Sequence, residues 1–358
     1  MLKMRNIALA IMTLAMSACH SDTLIQPVAS KNESLPNVTL MTLNVQNLFD
    51  NLDDPGKDDK AYLPIADKQG KAHQAACAKI KNRFWRKECS ELDWSDDAIT
   101  DKLKTLSSVI KQVNDGQGPD VIALQEVENE NILEQLRLRY LSGLGYKKSI
   151  LIEGKDNRGI DVAFLSKLPL VDDPVLHPLV TRAHSERAKD TRGVLEAKFE
   201  MPDGSHLTGY SVHFPAPFHP TEMRIAAYQH LRTLRAGLAD QALVFAAGDF
   251  NTTSTEDDRE KLLDKHVRTE WEVAHDTCQA CPGTYYYAPE DNWSFLDMIL
   301  VAGTKGPAAS WRIRPGSVQL ANALDSQRTQ DGKPARYRPE SKEGASDHWP
   351  LILTLERK

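Results

Sequence analysis

The sequence predicts a layered α/β sandwich. Two observations carry that reading. Short β-rich runs alternate along the chain with segments of helical period, and some links between strands are of hairpin length while others are long enough to hold a helix. A simple parallel doubly wound sheet fits less well, because hairpin-length links join antiparallel strands. Of the 358 residues 41% are hydrophobic and 26% charged, which is ample for one large core or two ordinary ones and argues against a largely disordered chain.

The chain begins with a basic start, Met1-Leu2-Lys3-Met4-Arg5, then an apolar run from Ile7 to Met16 and a small-residue exit, Ser17-Ala18-Cys19. That order describes an export signal, too short to persist as a membrane-spanning helix, so residues 1–19 are set outside the fold. Cys19 behind two small residues also matches a lipobox, whose Cys becomes the lipidated first residue of a mature lipoprotein. Met16 stands where such signals usually carry Leu, and a plain cleaved signal is the alternative. Ser21 after His20 is the pattern of outer-membrane sorting. The expectation is an exported protein, in the periplasm, on the outer membrane through Cys19, or outside the cell. Residues 20–37 mix Ser, Pro, Asn and Lys without an apolar period and read as a tether, leaving residues 38–358 as one folded domain.

Val38 to Val45 alternates apolar and polar residues over much of its length, as a half-buried strand does. A polar stretch to about Asp97, rich in Asp, Lys and Pro, reads as a long insertion with some helix. Ile99 to Ile110 has helical spacing, Asp120 to Leu124 reads as a buried strand, and Asn129 to Leu141 as a helix. Strands follow at Asp161 to Ser166, Val194 to Phe199 and Leu207 to His213, then a helix from Thr221 to about Leu238. The last strands are Ala242 to Ala247, Ser294 to Val301 and Leu351 to Leu355.

Apart from Cys19, the chain has four cysteines, Cys77, Cys89, Cys278 and Cys281. In an exported protein they favour two local disulfides, Cys77 with Cys89 and Cys278 with Cys281. The competing zinc reading of His275 to Cys281 lacks a second Cys/His cluster to complete four ligands. The formal net charge is −6, and more negative once Lys3 and Arg5 leave with the signal. That excludes binding of nucleic acid by bulk charge alone, so affinity for a polyanion needs a local patch or bound cations.

Polar residues punctuate the ends of the apolar strands. Asn44 closes the first, Glu126 follows Val121 to Gln125, and His213 closes Gly209 to Val212. Asp249 and Asn251 follow Val244 to Gly248, Asp297 sits within Phe295 to Leu300, and Asp347-His348 precedes the last strand. Six strand ends that deliver carboxylates, amides and imidazoles to one rim build a hard-cation site with acid/base groups beside it. Taken singly, each residue has a plain reading as a turn former, a cap or a surface side chain.

The strings Thr42-Leu43-Asn44-Val45-Gln46-Asn47-Leu48, Ile122-Ala123-Leu124-Gln125-Glu126-Val127, Ser211-Val212-His213, Gly248-Asp249-Phe250-Asn251, Phe295-Leu296-Asp297 and Ser346-Asp347-His348-Trp349-Pro350-Leu351 resemble, in order, the motifs of the endonuclease/exonuclease/phosphatase family. The resemblance covers Val38 to Leu355. It implies a four-layered α/β sandwich of two packed mixed β-sheets flanked by helices, and a single catalytic domain. It further implies that Mg²⁺ or Mn²⁺ is held chiefly by Glu126, with Asn44 and Asp347 close by. Asp249 and Asn251 then face the scissile phosphate, with Asp249 placed to orient or deprotonate the attacking water. His348, held by Asp297, is the other candidate base, and His213 bonds the phosphate or protonates the leaving oxygen. Apurinic endonucleases carry an acidic residue where this chain has Gln46, which argues against abasic-site repair.

Arg158, Arg192 and the segment Thr181 to Arg192, with Arg182, His184, Arg187 and Lys189, read either as contacts to substrate phosphates or as solvated loop; Arg192 and Arg158 are the substrate-binding candidates beside Asn251 and His213. Asp161 reads as a partner orienting His213 or as an exposed strand-start residue. Tyr285, Tyr286, Tyr287 and Trp293 read as wall packing before base-stacking platforms. Three functions remain: a nuclease, expected to work as a monomer; a phospholipid or small phosphate-ester phosphodiesterase or phosphatase; and a non-catalytic surface protein that keeps the fold. The complete set of acids, bases and ligands disfavours the third, and the lack of an evident apolar loop with paired aromatics disfavours a lipid substrate.

Overall fold

The computed structural model describes residues 36–179 and 191–358. The export signal, Cys19, nearly all of the tether and the basic residues Arg182, His184, Arg187 and Lys189 lie outside the described residues. No described helix is long and apolar enough to cross a membrane.

The first strand, β1 (Asn37–Leu48), is buried from Val38 onward, not half-buried as its alternation suggests. The cause is a packed layer on each side. Leu40 points into one apolar cluster and Met41 into another, as the two-residue period of a strand requires. Its buried polar residues are satisfied locally; Thr42 Oγ1, for example, donates to Gln125 Oε1 at 3.2 Å.

The insertion that follows holds helices α1 (Lys71–Ala78) and α2 (Arg83–Glu91), tied by the Cys77–Cys89 disulfide. Helix α3 (Asp96–Lys111) buries Ile99, Leu103, Leu106 and Ile110 on one face. Strand β2 (Val121–Val127) leads to α4 (Glu130–Gln135), which continues to Tyr140 as a wider π turn, so the expected helix changes pitch midway. Strands β3 (Ile150–Leu151), β4 (Asp161–Ser166), β5 (Val175–His177), β6 (Val194–Glu200) and β7 (His206–His213) precede helix α5 (Thr221–Ala236) and strand β8 (Leu243–Asp249). Helices α6 (Ser254–Glu260) and α7 (Leu262–His266) and strand β9 (Glu272–Val273) follow. The predicted strand from Ser294 divides in two, because β11 (Asn292–Ser294) forms a hairpin with β10 (Tyr285–Tyr287) while β12 (Asp297–Ala302) joins a large sheet. The chain ends on β13 (Trp311–Ile313), β14 (Gln319–Leu320) and β15 (Leu351–Arg357).

One sheet runs β13-β15-β1-β2-β4-β3, with β14 also on β15; the other runs β5-β6-β7-β8-β12-β9. Both are mixed, since β1 is parallel to β2 and β7 to β8 while their other pairings are antiparallel. Three apolar clusters define four layers. Leu43, Ile122 and Leu124 pack on Leu106, Ile110 and Leu133 of α3 and α4. Leu40, Phe164 and Leu353 meet Phe199, Phe245 and Ile299 between the sheets. Val212, Val244 and Leu300 pack on Ala227, Tyr228 and Leu231 of α5. Helices, sheet, sheet, helices is the sandwich expected from the sequence.

Candidate active site

The two parallel pairs decide where the polar strand ends meet. Parallel strands carry their carboxyl ends to one edge, and in each pair the closing residues are in register: Asn44 lies opposite Gln125, and His213 opposite Asp249. Strands β12 and β15 run antiparallel to these, so residues at their starts reach the same edge. Asp297 is opposite Asp249, which sets His213, Asp249 and Asp297 in one row across three strands. Gly248 makes this approach possible. Its φ is +153°, and a Cβ there would meet Val212 O at 1.9 Å, so only glycine allows β8 to close on β7.

Four non-glycine residues of the rim have left-handed backbones: Gln46 (φ +52°), Asn47 (φ +58°), Glu126 (φ +66°) and Asn251 (φ +51°). Asn tolerates this; Gln and Glu do so at a cost, and such outliers gather at sites where surrounding contacts over-determine the geometry. Here those contacts are visible. Glu126 Oε2 accepts the Asn47 N–H at 2.9 Å, Asn44 Oδ1 accepts the Gln46 N–H at 2.9 Å, and Asp249 Oδ1 accepts the Asn251 N–H at 2.9 Å.

Asn44 joins the two sheets. Its Nδ2 donates to Asp249 Oδ2 at 3.2 Å and to Glu126 Oε1 at 3.4 Å. His213 Nε2 is 3.5 Å from the same Asp249 oxygen. His348 Nδ1 is 2.7 Å from Asp297 Oδ2, and Thr284 Oγ1 accepts the Asp297 N–H at 3.0 Å. Ser346 secures the His348 segment by donating to Asn44 O at 2.7 Å while accepting the His348 N–H at 3.1 Å. Asn251 Nδ2 donates to Phe214 O at 3.0 Å. Asn44, His213, Asp249, Asn251, Asp297 and His348 are all buried, and the structure brings them together.

Burial and neighbours set the protonation of this group. Burial pushes the Asp249 carboxyl up to about 7, against the opposing charge of His348. Burial would lower His348, but the charge and hydrogen bond of Asp297, with Asp249 and Asp347 beyond, raise it to about 10, so it is an imidazolium at neutral pH. Burial holds His213 well below the ordinary histidine range, helped by the charges of Arg192 and Arg158, so it is a neutral imidazole. Its Nδ1 has no hydrogen-bond partner.

The remaining predicted residues stand around this centre. Arg158 donates to Asn47 Oδ1 and its charge acts on Glu126. Arg192 Nη2 pairs with Asp156 Oδ2 at 3.1 Å, and its Nε is buried without a partner. Asp347 Oδ2 accepts from Arg336 Nη1 at 3.3 Å. Asp161 is buried rather than exposed, because its Oδ1 accepts the Gly154 N–H at 2.7 Å; no hydrogen bond joins it to His213. Cys278 and Cys281 form a disulfide, so they are not zinc ligands.

Three features of the rim escape the sequence. Gln46 is a brace: its Oε1 accepts the Tyr337 and Asp347 N–H groups at 2.8 and 3.1 Å. Lys102 is fully buried, donating to Ala345 O at 2.8 Å, with its ammonium 4.7 Å from the Tyr337 ring centre; burial lowers it to about 7 against the charges of Asp347 and Glu126. An exposed aromatic pair does exist, Phe84 and Trp85 at 54% and 56% exposure, on helix α2 of the insertion, where helical spacing gave no hint of which face is bare. Phe84 lies 5.7 Å from the Arg336 guanidinium that holds Asp347. Phe218, in the loop after β7, is 76% exposed, and the Tyr285 ring lies 4.9 Å from that of His348.

The carboxylates of Glu126 and Asp347 are oxygen donors of the kind a hard divalent cation takes. Asn44 fits less directly as a ligand, since its carbonyl already accepts the Gln46 N–H and its amide nitrogen faces the carboxylates of Glu126 and Asp249.

Comparison with known proteins agrees with this geometry. The sequence profile of the Endonuclease/Exonuclease/phosphatase family matches residues 94–348. The chain belongs to that family, whose members hydrolyse phosphoester bonds and generally use divalent metals. Among solved structures, D. rerio TDP2 humanized by 14 mutations is similar at 14% identity and a TM-score of 0.55, with 89% of this chain and 99% of that one covered. An endonuclease/exonuclease/phosphatase from Bacteroides vulgatus is similar at 16% identity and a TM-score of 0.54, covering 90% and 99%. The Bacteroides thetaiotaomicron mannosyl-6-phosphatase Bt3783 is similar at 14% identity and a TM-score of 0.53, covering 89% and 99%. At these identities the likeness is one of fold. No curated protein matches.

Proposed function

We propose that this chain is an exported, Mg²⁺- or Mn²⁺-dependent phosphodiesterase that cleaves nucleic acid by in-line attack of water. The observation that carries the hydrolytic reading is the row His213, Asp249 and Asp297 with His348 on Asp297. It brings a buried carboxylate, a neutral imidazole and an imidazolium to one rim, opposite Glu126.

Asp249 orients the water and takes its proton, since a carboxylate has lone pairs beyond those used by Asn44 and Asn251 and its pKa near 7 suits a base at neutral pH. His348 is held by Asp297 with its Nε2 free to bond the phosphoryl oxygens, and it contributes positive charge where negative charge builds. His213 and the remaining Asn251 N–H orient a non-bridging oxygen. Glu126 and Asp347 would hold the metal ion, which supplies charge neutralisation at the phosphate. Asn44 and Gln46 position these ligands.

A nucleic acid substrate is favoured by the exposed aromatics Phe84, Trp85 and Phe218 together with Arg158 and Arg192, because unpaired bases stack on aromatic faces while the guanidinium groups meet phosphates. A D. rerio TDP2 of similar fold has been captured with a single strand DNA product. The second reading, a small phosphate-ester or phospholipid substrate, draws on the likeness to a mannosyl-6-phosphatase and on the same exposed aromatic pair, which could enter lipid. Incubating the metal-stripped chain with single-stranded DNA, plasmid, RNA, sphingomyelin and sugar or inositol phosphates, with and without Mg²⁺ or Mn²⁺, decides between them. Metal-restored cleavage of nucleic acid is expected; turnover of only the small esters or of lipid sinks the nuclease reading, and full activity in EDTA sinks the metal dependence.

Export and lipidation at Cys19 belong to the same proposal, supported by the signal-like start and the two disulfides. A Cys19→Ser chain is expected to leave the membrane fraction for the soluble one; recovery of the unchanged chain in the cytoplasm refutes export.

A further inference from the structure

A second group of acids lies beside the rim, on the segment after β1 and at the end of β2. Asp54, Asp59 and Glu128 each bring a carboxylate oxygen within 4.8 Å of the others. Asp59 is 1% exposed and Glu128 3%. Asp59 Oδ2 accepts the Asp54 N–H at 2.7 Å, and Glu128 Oε2 accepts the Asp50 N–H at 2.7 Å. The second oxygen of each, Asp59 Oδ1 and Glu128 Oε1, is buried without any partner.

This is not a general shortage of donors in the segment. Asp50 next door is fully served, by the Leu52 N–H and the amides of Asn129 and Asn131. The lysines turn elsewhere: Lys57 donates to Asp156 O at 3.0 Å, and Lys60 pairs with Asp53 at 2.8 Å. The charges that bear on Glu128 are those of Asp50, Asp54 and Asp59, all acidic. Acids buried side by side, each with one oxygen that no donor reaches, are unfavourable unless they take up a proton or a cation.

We infer that Asp54, Asp59 and Glu128 bind a structural divalent cation, Ca²⁺ in preference to Mg²⁺, separate from the catalytic metal. Three protein carboxylates make a flexible, all-oxygen cage of the kind Ca²⁺ accepts, whereas Mg²⁺ keeps most of its waters and takes fewer protein ligands. Asp54, half-buried, leaves the ion a path from solvent. The ion ties residues 50–59 to the strand end that carries Glu126 two residues earlier, and so stiffens one wall of the active site. The inference stands whether the substrate is nucleic acid or a small ester.

The test uses the full chain stripped of metal, with CaCl₂ or MgCl₂ alone as probe, read by calorimetric titration and thermal melting. Glu126→Gln, which weakens the catalytic site, is expected to keep one Ca²⁺ per chain and a Ca²⁺-dependent rise in Tm. Asp59→Asn with Glu128→Gln is expected to lose both, and to keep any Mg²⁺ uptake at the catalytic site. The inference is overturned if Glu126→Gln takes up no Ca²⁺ and shows no rise in Tm, or if both survive in the double variant. Should the double variant fail to fold, the titration of Glu126→Gln decides alone.

Discussion

Glu126, near the end of β2, and Glu128, just past it, belong to two sets of acids that the chain treats differently. At the catalytic rim every carboxylate has an internal counterpart, although Asp297 Oδ1 is itself buried without a hydrogen-bond partner: Glu126 has Asn44 and the Asn47 N–H, Asp249 has Asn44 and the Asn251 N–H, Asp297 has His348 on its other oxygen, and Asp347 has Arg336. Around Asp59 and Glu128 half of the oxygens have none. A site that performs chemistry needs its charges held in place before substrate arrives, and hydrogen bonds from the scaffold do this. A site whose task is to be filled can leave the compensation to its ligand, and its stability then follows the ligand concentration.

The comparison is tested most severely where activity and stability should separate. His348→Ala and Asp249→Asn are each expected to lower kcat by about 10²–10⁴-fold with a folded circular dichroism spectrum, the range for loss of an acid/base group. Asp297→Asn should reproduce much of the His348 defect, because it removes the charge that keeps the imidazole protonated. The losses at Asp297 and His348 should not multiply, since the two act as one unit. A folded His348→Ala chain with more than about a tenth of wild-type kcat on its best substrate removes that residue from the mechanism.

The pH profile is the next largest effect. Asp249 works deprotonated, so kcat/KM should rise with pH through about 7, and a divalent cation beside it should move this limb to lower pH. His348 works protonated, so activity should fall as pH passes about 10. Asp297→Asn should bring the alkaline limb down toward neutrality, and it should move the acid limb as well, since Asp297 and His348 both act on the Asp249 carboxyl. An alkaline limb unmoved in that variant assigns it to another group.

Much of this was legible in the sequence. Asn44, Glu126, His213, Asp249, Asp297 and His348 stand at strand ends, and strand ends can be read from periodicity. Gly248-Asp249-Phe250-Asn251 is a local string whose glycine answers to a local steric need. What escaped comes from packing between distant segments. Gln46 reaches Tyr337 across 291 positions of sequence, and Lys102 reaches Ala345 across 243. The burial of both faces of β1 depends on a second sheet that its own alternation cannot announce. Asp54 and Asp59 sat in what read as a polar insertion, where acids are expected to be solvated; only the fold shows Asp59 to be buried against Glu128.

The smallest expected effect separates the two acid sets by sign. In Ca²⁺-free buffer Glu128→Gln is expected to raise Tm, because the amide oxygen can still accept the Asp50 N–H while the new NH₂ adds a donor among the acids of Asp54 and Asp59. Asp249→Asn is expected to lower Tm under the same conditions. Its side chain already receives the Asn44 amide and the Asn251 N–H, so an NH₂ introduced there turns a donor toward donors. Each kcal/mol moves Tm by about 2–4 °C in a domain of roughly this size or somewhat smaller, so shifts of a few degrees in opposite directions are within reach of calorimetry. Adding Ca²⁺ should then reverse the order of wild type and Glu128→Gln, since only the wild type keeps its third carboxylate for the ion. If Glu128→Gln melts lower than wild type without Ca²⁺, the unpartnered oxygens are not a source of instability and the contrast between the two acid sets fails.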